Sequence, residues 1–207
     1  MHQKMRSLWI GMVILYLVVL GYSIWIQIQE NDLNGLMMCA VAFFTLWAVP
    51  IVFHILHLKP VYEIYNLATV FAFIACVWGS TLGGYDLPFF DKFLHFTSGI
   101  LMLGGSMLIY ALLKGTTVFN TKIEKRTFYV CINAINMSIA LCWEYFEYAM
   151  LVFFNNDAIR HYTQGVHDSM TDMICATLAG LLCTAWIYFR PNCFFWKMVN
   201  QCMSQRK

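Results

Sequence analysis

Six long apolar tracts divide this chain, at 8–28, 36–56, 67–83, 93–113, 128–154 and 170–189. Most are close to the ~20 residues that a membrane-spanning helix needs. The third is short, and the fifth is long enough to tilt or to project from a bilayer. The polar stretches between them reach 15 residues at most, at 155–169, which is connection length and too short for a soluble domain. The pattern predicts an all-α, polytopic membrane protein. It has one domain, residues 1–207, with six transmembrane helices in one bundle and a functional core at about 67–189. Lys4 and Arg6 precede the first tract as they would a secretion signal. The tract is too long for a signal core and no small-x-small cleavage site follows, so it reads as a retained helix.

Composition supports this class and excludes a soluble one. Hydrophobic residues make up 60% of the chain and charged residues 12%, with mean hydropathy +0.63. Soluble domains carry about 25% charged residues. The eight cysteines lie almost all within apolar tracts and form no C-x-x-C pair, which leaves packing as their role. No phosphate-cradling glycine loop or nucleic-acid motif is present, so the expected partners are membrane lipids and not nucleic acid.

Charge sets an orientation. With the N-terminus inside, the inner segments hold eleven of the thirteen Lys and Arg, and the outer segments hold only Lys92 and Arg160. Such an asymmetry over short connections places both termini in the cytoplasm. Trp9, Trp25, Trp186 and Trp196, near tract ends, fit interfacial belts. The run at 122–126 reads as a cytoplasmic turn carrying orientation charge.

The acids are distributed the other way. Nine of the eleven carboxylates fall on the outer side. Six of them, Asp86, Asp91, Glu144, Glu147, Asp168 and Asp172, gather at the outer ends of three helices, with His95 and His167 beside them. A carboxylate at the centre of a spanning helix costs roughly 2.5–3.5 kcal/mol, so intramembrane acids point to function.

Three segments carry this chemistry. In the first, glycines and Pro88 turn the chain sharply before helix 4, and Asp91 and His95 share a face four residues apart. In the second, Glu144 and Glu147 lie on one face of helix 5, which continues through Ala140, Asn136 and Asn133 at helical spacing. At 1.5 Å per residue, Glu147 lies about 10 Å and Glu144 about 15 Å below the outer end of that helix. In the third, Asp168 is placed to cap helix 6, with Asp172 one turn further in, above the small residues Cys175, Ala176 and Ala179. Arg160 and His161 read as loop residues near the outer surface. Read singly, an Asp cap or a His bonded to a carbonyl is an ordinary structural role. Three helices placing acids at one depth predict a shared polar cavity between helices 4, 5 and 6.

Two outer cations cannot balance six carboxylates. Either some hold protons, or a divalent cation supplies the missing charge, or the pocket is open to water. Acids with one or two His and no suitable Cys suit one hard or borderline divalent metal ion. The expected ligands are Asp86, Asp91, His95, Glu144, Glu147, Asp168 and Asp172. The Glu-x-x-His pairs of di-iron bundles are missing, which removes oxygen chemistry.

The same residues carry a family resemblance. Gly-Tyr-Asp at 84–86, Asp-Lys-Phe-Leu-His-Phe at 91–96, Trp-Glu-Tyr-Phe-Glu at 143–147 and Asp-Ser-Met-x-Asp-Met at 168–173 resemble the YjdF-like family of bacterial integral membrane proteins. They are more distantly similar to VanZ-like proteins, which share an Asp-Lys-x-x-His-Phe helix start. The resemblance covers roughly residues 67–182. It implies a multi-pass protein of the bacterial cytoplasmic membrane and, through the glycopeptide resistance linked to VanZ-like proteins, a role at the cell envelope. It brings no defined activity with it.

Three functions remain. The first is an enzyme at the extracytoplasmic leaflet acting on a lipid or lipid-linked envelope precursor. His95, Glu144, Glu147, Asp168 and Asp172 would share acid/base duty or hold the metal, and His95 is the best proton carrier. The second is a cation- or proton-coupled transporter; no inverted repeat is visible to support it. The third is an assembly protein with the polar cluster as interhelical glue, which the excess of acceptors over donors disfavours.

Overall fold

The computed structural model describes residues 2–158, 160, 162–190 and 192–205. The fold is all-helical, as the apolar pattern predicts: α1 (His2–Glu30), α2 (Leu33–Ile55), α3 (Tyr62–Ala72), α4 (Phe90–Lys114), α5 (Lys122–Phe154), α6 (Val166–Phe189) and α7 (Phe194–Ser204). α3 runs on without a break as a π-helix, Phe73–Thr81, and a 3-10 turn follows at Gly84–Asp86. Six of these helices are long and apolar enough to cross a membrane, with α3 and its π-helical extension counted as one.

Three features differ from the sequence expectation. The run at 122–126 is not a turn but the first turn of α5. Thr121 caps it, its hydroxyl accepting the Glu124 N–H at 3.1 Å, and the Glu124 carboxylate accepts the Asn120 N–H at 2.6 Å. A Thr with a Glu three residues on is a helix-start signal that outweighs the local charge. Asp168 does not cap α6; that position is Gly165, and no side chain caps it. The short α7 is the third, an amphipathic helix of 11 residues that a search for spanning tracts passes over.

The chain packs as two compact units, one from α1 to the turn before α4, the other from Asp91 to Met203. In the first, α1, α2 and α3 are tied by buried polar contacts. The Tyr16 hydroxyl donates to the Ala42 carbonyl at 2.7 Å, and the Gln27 amide donates to the Thr81 carbonyl at 2.9 Å. Trp9 packs on Tyr62 and Tyr65 at the other end of α1. At Gly79 and Gly84 the backbone folds so closely that a Cβ on Gly84 would lie 2.9 Å from the Gly79 Cα, which keeps larger residues out of this turn.

In the second unit, α4 and α6 run parallel in fixed register. Asp91 and Asp168 share one lysine, His95 faces Asp172, and a Cβ on Gly99 would lie 2.9 Å from the Ala176 Cα. Each pair is 77 residues apart (168 − 91, 172 − 95 and 176 − 99). α5 runs antiparallel to α6: Asn133 donates to the Thr184 hydroxyl at 2.9 Å, and a Cβ on Gly180 would collide with the Asn136 amide. Continued by helical steps, that register brings Glu144 level with Asp172. Leu103, Met107, Ile132, Ala179 and Ile187 fill a core below with no exposed surface. α7 lies across the far end of the three helices. Phe195 packs against Gly104, and Trp196 stacks on Phe128 with ring centroids 5.2 Å apart. The Cα of Phe128 is about 24 Å along α5 from that of Glu144, at 1.5 Å per residue.

Candidate functional site

The site is built from the first turns of α4 and α6 and the last third of α5. α4 begins at Phe90, three residues before its apolar tract, so Asp91 and Lys92 are helical and not part of a loop. His95 follows Asp91 by one turn and lies on the same face. On α6, Asp168 and Asp172 are likewise one turn apart. On α5, the polar stripe faces inward: Asn136, Glu144 and Glu147 are all buried, while Tyr145 and Tyr148 between and beside them are exposed.

A lysine stands at the centre. Lys92 Nζ lies 2.6 Å from Asp168 Oδ1, 2.8 Å from Asp172 Oδ1 and 3.1 Å from Asp91 Oδ2. The contacts to Asp168 and Asp91 are hydrogen bonds. The approach to Asp172 is an ion pair without hydrogen-bond alignment, and Asp172 Oδ1 accepts no hydrogen bond. His95 Nε2 sits beyond bonding distance of two of the same acids, 3.6 Å from Asp91 Oδ1 and 3.7 Å from Asp172 Oδ1. Asp168 and Asp172 are almost fully buried, and the Lys92 side chain, 24% exposed, is the most open member of the group.

The two glutamates differ. Glu147 Oε1 accepts the Trp143 indole N–H at 2.7 Å, one turn back on α5. Glu144 has only 6% of its surface exposed, yet neither carboxylate oxygen has a hydrogen-bond partner. The Ser169 hydroxyl is close enough to interact with it but is not placed as a hydrogen-bond donor, and His95, Asp172 and Asp168 stand around it. Buried polar atoms are nearly always paired, and an orphaned carboxylate is the costliest kind to leave so.

The sequence-predicted residues thus divide. Asp91, His95, Glu144, Glu147, Asp168 and Asp172 are brought together in the second unit. Asp91, His95 and Asp172 offer one atom each within 4.8 Å of one another, a set able to hold a metal ion. Asp168 is committed to Lys92. Asp86 belongs to the first unit, is exposed in its 3-10 turn, and enters none of the ion pairs among the described residues. His167 is exposed on α6 and Arg160 lies in the connection before it, while His161 is outside the described residues. Sequence reasoning missed Lys92 and Trp143. The sequence places Lys92 only among the two outer cations that face the six carboxylates; its position beside Asp91 in an Asp-Lys-x-x-His run is the signal for its central role.

Six helices long and apolar enough to cross a membrane, with five buried carboxylates, a lysine and a histidine clustered in the second unit, mark a multi-pass membrane protein with a buried polar cluster. Over residues 11–192 the chain matches the family described as Predicted membrane protein (DUF2238), and it belongs to that family. No curated protein and no solved structure matches it.

Proposed function

We propose that this protein is a membrane-embedded hydrolytic enzyme with an acid/base site, acting on a lipid or lipid-linked substrate of the cell envelope. The observation that carries the reading is Glu144: a buried carboxylate with two unpartnered oxygens, set beside His95. It is an acceptor waiting for a donor. Glu144 takes the proton of a water molecule whose oxygen bonds to the electrophilic centre of the substrate. The bond to the leaving oxygen breaks, and that oxygen takes a proton from His95. Asp91 and Asp172 both face Nε2 of the imidazole, at 3.6 and 3.7 Å, and would favour its charge as it takes up and gives back a proton. The Ser98 hydroxyl donates to the His95 carbonyl at 2.8 Å, not to the ring, which disfavours it as a nucleophile. Substrate reaches the cluster past Lys92, its most open member. The α7 aromatics close the opposite end, which supports a dead-end site over a through-path.

In this reading the acidic end faces outward and both termini are cytoplasmic, from the eleven-to-two bias of Lys and Arg. The finer likeness to the YjdF-like family, and with it a bacterial cell membrane, belongs to the same proposal. A cation or proton carrier is the second reading, favoured by Asn136 and Asn133 continuing the polar face of α5 below Glu144.

The test compares membranes of cells expressing wild type or Glu144→Gln by lipid mass spectrometry, with proton and cation flux measured in proteoliposomes. A lipid pool changed by wild type alone, without flux, supports the enzyme. Flux that depends on Glu144, with no change in lipids, replaces it with the carrier.

A further inference from the structure

We infer that Asp91, His95 and Asp172 form a binding site for a borderline divalent cation, Zn²⁺ or Mn²⁺, and that Lys92 is a tethered cation competing for it. The inference rests on reading this cluster as a working site, and it adds the ligand and its control. The distances carry the first half. His95 Nε2 lies 3.6 Å from one carboxylate oxygen and 3.7 Å from the other. Ligands bonded at about 2.0–2.1 Å in a tetrahedron stand about 3.4 Å apart. The two distances from His95 exceed this by only a few tenths of an ångström, and the three ligand atoms all lie within 4.8 Å of one another. One imidazole with two carboxylates suits Zn²⁺ or Mn²⁺ better than the all-oxygen preference of Ca²⁺.

Glu144 is the independent observation. It is more than nine-tenths buried, neither carboxylate oxygen accepts an aligned hydrogen bond, and it stands beside Ser169, His95 and Asp172. A cation between the helices would give Glu144 the positive partner it lacks, and Asp172 Oδ1, which accepts no hydrogen bond, a direct ligand bond. Lys92 carries the second half. Its ammonium lies 2.8 Å from Asp172 Oδ1, the same oxygen a metal would use. In the same position it already donates to the Asp168 carboxylate at 2.6 Å and to its backbone carbonyl at 3.4 Å, so it keeps a partner on leaving Asp172. Metal binding draws Lys92 onto Asp168 and away from Asp172. Asp168 is thus the lysine's resting place and not a ligand.

The experiment uses full-length, untagged protein in detergent, stripped with chelator and titrated with Zn²⁺ by calorimetry and with Mn²⁺ by electron paramagnetic resonance. One ion should bind per chain. Asp172→Asn and His95→Gln should each weaken binding by about a hundredfold, ligand loss costing at least as much as loss of an outer-shell partner. Lys92→Gln should tighten binding by about tenfold or more, since a unit charge near 3 Å is removed. It should also melt lower than wild type in chelator and recover with Zn²⁺. Nitrogen coupling in the Mn²⁺ spectrum should vanish in His95→Gln. Absence of binding to wild type and to Lys92→Gln overturns the inference, as does binding indifferent to Asp172→Asn. A lipid change that depends on Glu144 but survives chelation would leave the acid/base reading standing without the metal.

Discussion

Lys92 answers three aspartates with one ammonium, so the stability of the acidic end depends on a single side chain. Its removal leaves Asp168 and Asp172 buried at 2% and 1% side-chain exposure without their cation. Breaking a buried pair by removing one partner costs about 3–5 kcal/mol, and the 24% exposure of Lys92 lowers this toward 2. Lys92→Met should therefore destabilise by about 2–3 kcal/mol in chelator, measured by thermal melting. Adding Asp168→Asn should recover part of the loss, because it removes one of the stranded charges. Equal melting of the single and double variants would mean that Lys92 acts on its other partners alone. Glu144→Gln should behave oppositely. It replaces an unpartnered carboxylate with a neutral isostere, so folded yield should hold and melting rise by about a few degrees, with function lost. These contrasts were only partly legible beforehand. Side-chain spacing put Asp91 with His95 and Glu144 with Glu147, because each pair lies within one helix. The partner of Lys92 is 76 residues away, and hydropathy has no term for the register between helices.

At the scale of elements, the site depends on how closely α4 and α6 approach. A Cβ at Gly99 would meet Ala176 backbone atoms, which cannot rotate aside, while one at Gly180 would meet the end of the Asn136 side chain, which can. Gly99→Ala should therefore cost about 1–3 kcal/mol and spread His95 from Asp172, whereas Gly180→Ala should cost less. Crosslinking between cysteines placed at the lipid-facing flanks of α4 and α6 would report the separation. The small residues of α6 were readable as a close-packing face, but the glycine they meet was not, since nothing in a hydropathy trace pairs 99 with 176. α7 carries a prediction of its own. Its Cys202 has no exposed surface, and burial pushes the thiol up to about 11. At pH 8 about one thiol in a thousand is ionised, so alkylation should be slow in wild type. Trp196→Ala, which removes the stack on Phe128, should speed it by loosening α7. Unchanged labelling would mean that α7 stays docked without that ring.

For the whole molecule, the apolar pattern was enough to predict the helical class and six spans, because crossing a bilayer fixes length and composition together. It was not enough for helix starts, which depend on caps and charged first turns: α4 and α5 begin three and six residues before their apolar tracts (90 against 93, 122 against 128). Orientation is a prediction of the charge asymmetry. A reporter active only outside the cytoplasm, fused at the C-terminus, should be silent; activity there would turn the acidic end inward.

The parallel course of α4 and α6 has one more effect. Each helix carries the equivalent of about half a positive charge at its N-terminus and half a negative one at its C-terminus. Two N-termini meet at the acidic end, against one C-terminus from the antiparallel α5. The backbone itself therefore leans positive where five carboxylates gather, and Asp91 and Asp168 sit in the first turns, where that field is strongest. A chain with the same side chains but α6 reversed would present two negative ends to the same acids. The topology, and not only the lysine, makes so dense a group of buried acids tolerable.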